Sequence, residues 1–329
     1  MFTRFQKWAL ATTIATYALI MVGGMVRASD AGLGCPDWPK CFGRYYPPFN
    51  ESQIPSNIDA SKFNFQLAWI EYTNRFIGVI VGFLILGTLV QAVRKHRDKP
   101  RILYPSIGAF VLVVFEGWLG GQVVASELEA WVLTAHLILA LVIVSLLLYA
   151  TVAGFFPNSK PFTNLPVQRR RLGWIAIVAL LLTLVQVGLG TQLRGELEHI
   201  EDQKGDVLSR SKWIEETDWV DIVHRSYSWL IIAGVVGIVY YTHRKADPNR
   251  WLRMLAKGIA GLLAVQILAG IGMAYGGLPP VLQVIHLITA SLFVGGLTLI
   301  YLLAGRVGIE SPSQMTKEQP QAQTSHQPA

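Results

Sequence analysis

The chain has 329 residues, of which 52% are hydrophobic and only 15% charged, and its formal net charge is +7. This composition excludes an ordinary soluble domain and indicates a membrane protein. Because a helix needs about 20 apolar residues to cross a bilayer core, we searched for stretches of that length and found eight. They are residues 8–26, 68–93, 103–124, 131–153, 172–193, 219–242, 255–276 and 281–304. We therefore predict an all-α membrane protein with eight transmembrane helices.

Basic residues predict the orientation of these helices. Lys and Arg collect near the N-terminus and in residues 94–101, 155–171 and 243–254, whereas the alternate connections are short, mixed or acidic, as in 195–206. Since basic segments stay in the cytoplasm, both termini are predicted to be cytoplasmic in a bacterial inner membrane. The positive charge then faces the lipid bilayer, and no basic patch with interleaved aromatic residues indicates nucleic acid. Past Arg306 the polar tail is predicted to be disordered.

Both cysteines, Cys35 and Cys41, lie in the first outward connection, within the run GLGCPDWPKCFG. Thiols outside a bacterial inner membrane tend to pair, and five intervening residues can close a small loop. We therefore expect a disulfide, and both a structural staple and a redox role are open to it. Metal binding by the pair is disfavoured because no histidine lies nearby in the sequence.

An internal repeat organises the eight helices. Sliding the chain on itself by 150 residues aligns polar residues and glycines, and the segments GGMVR and GTQLR align at a larger offset. The aligned pairs are Glu71 with Asp221, Asn74 with His224, Arg75 with Arg225, Glu116 with Gln266, Gly120 with Gly270 and His136 with His286. We therefore predict two tandem four-helix units in parallel orientation, residues 1–153 and 154–304, followed by a cytoplasmic tail of residues 305–329.

Four matched positions lie at a similar depth below the outward ends of their helices. His136 and His224 each follow a tryptophan by five residues, which is about 7 to 8 Å along a helix, and His286 and Asn74 reach a similar level. Two histidines on facing helices of a bundle can bind a heme iron from both sides, so we predict His224 and His286 as axial ligands. The alternative is that each histidine satisfies a backbone group or a helix contact.

The first unit has His136 on one side of this layer and Asn74 on the other. An amide is a poor ligand for heme iron, so a heme bound here would keep an open or weakly occupied coordination position. We therefore predict electron transfer in the second unit and chemistry in the first, with Glu71, Asn74 and His136 as candidate catalytic residues. Glu71 lies one turn from Asn74, where a carboxylate can move protons or orient water. The alternatives are that Asn74 caps or bridges helices and that Glu71 is a solvated structural carboxylate.

Other charged residues accompany this layer. Glu116 lies deeper, at a level where an acid is expected to be protonated or paired and to have a function. The arginines at the outer boundary are Arg27, Arg75, Arg194 and Arg225. Pairing with heme propionates and contact with lipid phosphates are both open to these guanidinium groups.

Three runs carry a resemblance to a known family: GGMVRASDAGLGCPDWPKCFG at 23–43, WIEYTNRFIG at 69–78 and GWLGGQVV at 117–124. Together with the three helix histidines they resemble the heme A synthase family, and the resemblance covers all eight spans. It implies an eight-helix membrane oxidoreductase. The implied reaction oxidises the C8 methyl group of heme O to the formyl group of heme A, which is needed for terminal oxidase assembly.

The same resemblance implies cofactors, site residues and partners. It places a b-type heme on His224 and His286 in the second unit, and the substrate heme O near His136 and Glu71 in the first. It also implies that the two loop cysteines form a disulfide. Heme O synthase and oxidase assembly factors are the expected partners, together with an electron acceptor that the sequence does not identify.

The chain departs from this family at two positions. Most members have histidine where this chain has Asn74, and they usually have glutamine where it has Glu116. The first departure bears on any mechanism that needs two histidines on the substrate iron.

Two other classes of function are open. A di-heme electron carrier of the cytochrome b type would account for the histidines but would be expected to have four of them. A heme-binding transporter or assembly protein would account for a lone histidine in the first unit, but not for the intramembrane acids beside the open position.

Overall fold

Eight α-helices make up most of the computed structural model, which describes residues 2–156, 167–204, 209–217, 219–245 and 250–304. The helices are α1 Arg4–Ala28, α2 Phe65–Lys95, α3 Pro100–Ala125, α4 Ala130–Phe155, α5 Val167–Lys204, α6 Trp219–Tyr240, α7 Arg250–Gly276 and α8 Pro280–Ala304. Each lies in a segment long and apolar enough to cross a membrane. The predicted all-α membrane fold with eight spans is confirmed, and the predicted disordered tail lies outside the described residues.

Local sequence signals set several helix ends. The Thr3 side chain accepts a hydrogen bond from the backbone of Gln6, and the Gln6 side chain accepts one from the backbone of Thr3, which forms a capping box at the start of α1. Asn64 caps α2 by accepting from the backbone of Leu67. Pro100 begins α3 at a position where no backbone donor is needed.

Helix α5 is longer than the sequence analysis predicts. The apolar span ends near residue 193, and residues 195–206 are predicted as a connection, but the helix continues to Lys204. Hydropathy reports where a helix leaves the apolar layer, whereas the helix itself continues as long as its residues favour it. The segment after the span is rich in Glu, Leu, Gln and Lys, which are good helix formers, so α5 extends beyond its apolar part.

The helices pack as two rings of neighbours. Helix α1 packs on α2, α2 on α3, α3 on α4 and α4 on α1, and the helices α5 to α8 repeat this pattern. The two rings meet where α1 and α4 contact α5 and α8. As a result α2 and α4 lie diagonally across the first ring, and α6 and α8 across the second. The four residues of the predicted layer all lie on these diagonal helices.

Threonines join helices inside the first ring and between the rings. Thr12 on α1 shares a 2.8 Å hydrogen bond with Thr88 on α2, and Thr13 shares one of 3.1 Å with Thr151 on α4. A longer contact of 3.4 Å joins Thr298 on α8 to Ser145 on α4. Small polar side chains at helix contacts are typical of membrane bundles because they allow close approach and bond across helices.

The connection between α1 and α2, residues 29–64, forms a small folded loop. Cys35 and Cys41 are joined by the predicted disulfide, and both are buried. The Asp37 carboxylate accepts hydrogen bonds from the backbone of Phe42 at 2.6 Å and of Gly43 at 2.8 Å. Phe42 is fully buried in this loop. We call the end of the bundle that carries this loop the loop-side end.

Candidate functional site

The four residues of the predicted layer share one contact in the structure. Each faces a glycine on the helix that precedes its own, so the backbone of that helix lies behind its side chain. A Cβ atom on Gly23 would lie 3.9 Å from Asn74 Oδ1, and one on Gly120 would lie 3.5 Å from His136 Cε1. A Cβ atom on Gly190 would lie 3.2 Å from His224 Cε1, and one on Gly270 would lie 3.6 Å from His286 Cε1. Longer side chains at these glycines would therefore press on the imidazole rings or on the amide.

The residue four positions before each glycine lies on the same face of its helix. Beside the three histidines this residue is polar, namely Glu116, Gln186 or Gln266. Beside Asn74 it is the apolar Leu19. The Asn74 position therefore differs from the histidine positions in the helix it faces as well as in its own side chain.

The second ring holds its two histidines by polar contacts. Nδ1 of His286 hydrogen-bonds at 3.1 Å to the backbone carbonyl of Gln266. A carbonyl can only accept, so the proton is on Nδ1 and Nε2 is left for a metal. Gln186 donates to the backbone carbonyl of His224 at 2.9 Å. Nδ1 of His224 is buried and has no hydrogen-bond partner in the described part of the chain.

These two histidines fit an iron that is carried by a porphyrin. Their helices lie diagonally across the ring. Within the described ranges, no cluster of three or more His, Cys, Asp or Glu side chains is arranged to hold a metal ion. A porphyrin would supply the remaining ligands of an iron held by these two histidines. The open Nε2 of His286 supports this fit.

The first ring places His136 beside an acid. Nδ1 of His136 lies 3.2 Å from Oε1 of Glu116, and the side chains are 37% and 13% exposed. Nδ1 of His136, Oε2 of Glu116 and Oδ1 of Asn74 are buried atoms without a hydrogen-bond partner among the described residues. Buried polar atoms are nearly always paired in folded proteins. Oδ1 of Asn74 and Oε2 of Glu116 are thus two unpaired oxygens on the residues of one predicted site, and they indicate a place where a ligand binds.

Glu71 and Arg75 bind the disulfide loop. One carboxylate oxygen of Glu71 accepts a hydrogen bond of 2.6 Å from the backbone of Cys35, and the other pairs with Arg75. Arg75 also donates to the carbonyl oxygens of Asp37 and Lys40, each at 2.8 Å, and to that of Cys35 at 3.3 Å. Glu71 is only 4% exposed. A buried ion pair on α2 thus holds the loop by several charge-assisted bonds.

The same loop also reaches α3. A Cβ atom on Gly121 would lie 3.0 Å from the indole ring of Trp38, which belongs to the disulfide loop. Gly121 directly follows Gly120, the glycine that faces His136. The loop therefore contacts α3 next to the residues that support this histidine.

The other arginines of the loop-side end are paired with acids. Arg27 on α1 and Arg194 on α5 both bind Glu198 on α5, the second at 2.8 Å. Nε of Arg225 lies 2.8 Å from Oδ1 of Asp221, one turn earlier on α6. The first of these contacts ties the two rings together at the loop-side end.

No role is predicted from the sequence for the glycines of the site. The repeat pairs Gly120 with Gly270 and Gly23 with Gly190, and that spacing is the signal that identifies them. Glu198 has no comparable signal, because it lies in a segment that hydropathy assigns to a connection. Its role becomes visible only when α5 is seen to continue as a helix.

Comparisons with known proteins give sequence matches over most of the chain. The sequence model of the COX15-CtaA family, described as cytochrome oxidase assembly protein, matches residues 6–298. The heme A synthase of Flavobacterium johnsoniae is 22% identical over 88% of this chain and 95% of its own length. That of Cereibacter sphaeroides is 26% identical over 82% and 79%, and that of Shewanella oneidensis is 31% identical over 56% and 55%. The chain therefore belongs to the COX15-CtaA family of cytochrome oxidase assembly proteins.

Proposed function

We propose that this chain is a heme A synthase, a membrane oxidoreductase that converts the C8 methyl group of heme O into the formyl group of heme A. Its family membership and its similarity to enzymes of that name over most of its length support this proposal. The observation that carries it is the arrangement of the site. Three intramembrane histidines each face a glycine, and an asparagine occupies the fourth equivalent position.

In this proposal the two halves of the chain have different tasks. Residues 154–304 bind a b-type heme through His224 and His286, and residues 1–153 bind the substrate heme O. When bound, the b-type heme supplies one-electron redox chemistry. The diagonal placement of α6 and α8 and the open Nε2 of His286 support the second-unit assignment.

His136 is the proposed ligand of the substrate iron, and Asn74 stands at the matched position of the opposite helix. The amide of Asn74 is a weak iron ligand and leaves that coordination position accessible. Its buried Oδ1 has no partner among the described residues, so it is available to accept a hydrogen bond from a bound group. Glu71 remains a proposed site residue, and its contacts favour a role through the loop that it holds.

The arginines proposed to bind the hemes differ in how many contacts their side chains already make within the protein. Arg75 is engaged with the loop carbonyls and Arg27 with Glu198. Arg225 is 49% exposed and pairs only along its own helix with Asp221 in the contacts described. Among the three arginines proposed for the cofactors, Arg225 is therefore best placed to reach a heme propionate, and a lipid phosphate is its alternative partner.

The reaction also explains why a second redox site is useful. Two successive hydroxylations of a methyl group give a hydrate, which loses water to leave the aldehyde. With water as the source of the oxygen atom, the methyl group and one water give the formyl group, four electrons and four protons, so the enzyme needs an acceptor for the electrons. With dioxygen as the source, dioxygen is the oxidant and electrons have to be delivered to the site. We propose that the second unit carries these electrons, in a bacterial inner membrane with both termini of the chain in the cytoplasm. Heme O synthase and oxidase assembly factors are the proposed partners.

Heme extraction tests this function directly. The chain is expressed together with a heme O synthase, and the membrane hemes are extracted and separated by chromatography and mass. We expect heme A to accumulate, and it should be absent when only the heme O synthase is expressed. Heme O alone, with heme present in the purified chain, would contradict the proposal and favour a heme-binding transporter. A purified chain with two low-spin hemes and no heme A would favour an electron carrier.

A further inference from the structure

The two rings support their matched histidines with different parts of matched residues. In the second ring, His286 Nδ1 donates to the backbone oxygen of Gln266, at 3.1 Å. The side chain of Gln266 is engaged elsewhere, since its Oε1 accepts a hydrogen bond of 2.5 Å from the hydroxyl of Thr289. In the first ring, it is the side chain of Glu116 that lies 3.2 Å from His136 Nδ1.

The repeat shows why the acid is free to face the histidine. Position 139 of the first ring matches position 289 of the second, and it holds Leu139 in place of Thr289. Helix α4 therefore has no hydroxyl at the position where Thr289 of α8 binds the side chain of Gln266 on α7. Glu116 and Gly120 lie one turn apart on α3, so the ring of His136 rests against Gly120 while its Nδ1 is next to Glu116.

The burial of the Glu116 carboxyl group and of Nδ1 of His136 indicates that their contact has a function. The Glu116 side chain is only 13% exposed. Neither its Oε2 nor Nδ1 of His136 has a hydrogen-bond partner among the described residues. Hydrogen bonds between an imidazole and a carboxyl group in a site are often long in the absence of ligand, and they tighten when a ligand fixes the imidazole. A histidine that binds a metal nearly always donates its other N–H to an acceptor, which sets its tautomer and its orientation.

We propose that Glu116 is a positioning residue for His136: its carboxyl oxygen accepts the Nδ1 proton and so directs Nε2 at the iron of the substrate heme. This inference rests on the proposed function, because it takes His136 as the ligand of that iron. The contact matters more here than in the second unit. With Asn74 at the opposite position, His136 is the single strong ligand, and its support alone determines how the iron is held.

Four variants test the proposal. Glu116→Gln keeps an acceptor oxygen at the same reach, Glu116→Asp withdraws it by one methylene, and Glu116→Leu removes it. Gln266→Leu is the matched control, because it makes the same change at the repeat-equivalent position where the acceptor is a backbone oxygen. The purified proteins are loaded with heme O and reduced. The iron–histidine stretching band of the five-coordinate heme is then recorded by resonance Raman spectroscopy, and heme A yield is measured separately.

We expect the wild-type band to be retained in Glu116→Gln and to shift or broaden in Glu116→Asp and Glu116→Leu. Heme A yield should fall about tenfold or more in the latter two, as is typical when the support of a metal ligand is lost. The low-spin b-type spectrum should persist in all four variants and shows that each is folded. If Glu116→Leu does not fold, the Glu116→Asp variant decides.

The possible failures are distinguishable. A wild-type band in Glu116→Asp and Glu116→Leu would overturn the positioning role, even if heme A is formed. Loss of the band in Glu116→Gln would overturn the role of the oxygen as acceptor. If Gln266→Leu alters the b-type spectrum while Glu116→Leu alters the iron–histidine band, both side chains support their histidines. That result would overturn the claim that Glu116 acts through its side chain and Gln266 through its backbone. If the Raman bands change as expected but no heme A is formed in any protein, the proposed function is contradicted and the positioning role of Glu116 still stands.

Discussion

At the scale of single residues, the amide of Asn74 separates the first ring from the second. Its counterpart His224 faces Gly190 on a helix that carries Gln186, whereas Asn74 faces a helix that carries Leu19. Both differences lower the polarity and the metal affinity of one side of the first site. We interpret this as a site with one strong iron ligand, beside a second site with two.

Histidine variants test this division of ligands. His224→Ala or His286→Ala should abolish the low-spin b-type absorption of the purified protein, because each removes one of two axial ligands. Asn74→Ala should leave that absorption unchanged, since Asn74 belongs to the other ring. Absorption and electron paramagnetic resonance spectra provide the measurement. Loss of the low-spin signal in the Asn74 variant would show that the assignment of the two units is wrong.

A graded series at Glu71 separates loop anchoring from proton transfer. Glu71→Gln keeps an acceptor for the backbone N–H of Cys35 and replaces the ion pair with Arg75 by a hydrogen bond to a neutral amide, whereas Glu71→Leu removes both contacts. Breaking a buried ion pair costs on the order of 3 kcal/mol. If cleavage follows the fraction of molecules in which the loop is open, proteolysis of the loop should therefore be roughly 100-fold faster in the leucine variant. Heme A yield should decrease from wild type to Glu71→Gln to Glu71→Leu.

Glu51→Gln is the control for this series, because Glu51 is an exposed acid of the same loop. It should leave both the cleavage rate and the heme A yield unchanged. Equal loss of heme A in Glu71→Gln and Glu71→Leu, with no change in proteolysis, would instead support a direct proton-transfer role for Glu71.

At the scale of helices, the odd-numbered helices carry the glycines and the even-numbered helices carry the four candidate site residues. A glycine recurs on α1, α3, α5 and α7 at the point where the ring or amide of the following helix lies against the backbone. This arrangement brings paired helices close together and fixes one side of each site side chain. The opposite side of each site side chain faces the middle of the four-helix ring, toward the diagonal helix.

Two glycines of α3 test this role. In Gly120→Leu a Cβ atom lies 3.5 Å from His136 Cε1, so the rest of the leucine side chain has to displace the imidazole. Such overpacking costs roughly 1 to 3 kcal/mol, and we expect heme A yield to fall about tenfold. Gly117→Leu is the matched control, because nothing lies within 4 Å of a Cβ atom there. Its yield should be unchanged, and equal losses in both variants would refute the backing role.

At the scale of the whole molecule, the two rings are joined at several levels. Glu198 binds Arg27 of the first ring and Arg194 of the second at the loop-side end. Deeper in the bundle, Thr134 on α4 and Thr191 on α5 share a hydrogen bond. Thr134 lies two residues before His136, and Thr191 directly follows Gly190, which faces His224. The two candidate sites are thus connected through the α4–α5 contact.

Cysteine labelling tests the predicted orientation of the whole chain. The only two native cysteines are joined in a disulfide, so a single introduced cysteine can be labelled selectively. Ser56 and Asp98 are both exposed, the first in the loop between α1 and α2 and the second between α2 and α3. A membrane-impermeant maleimide should label Ser56→Cys in intact spheroplasts and Asp98→Cys only after lysis. The reverse result would invert the proposed topology.

The sequence by itself determined the eight spans, the internal repeat and the four matched positions. These follow from hydropathy, length and spacing, which are properties of the chain alone. It also indicated the loop disulfide, because only two cysteines are present and they lie close together on the side predicted to be oxidising. Helix ends outside the apolar layer were less predictable, as α5 shows, since hydropathy does not report where a helix stops.

Only the tertiary structure decided what the site residues touch. It directed Glu71 and Arg75 to the disulfide loop, placed Glu116 against His136 and set a glycine behind each member of the layer. The physical reason is that in a membrane bundle both the lipid-facing and the buried sides of a helix are apolar. The sequence pattern therefore does not show which way each helix is turned. That rotation is settled when the helices pack, and the packing determines which polar atoms meet.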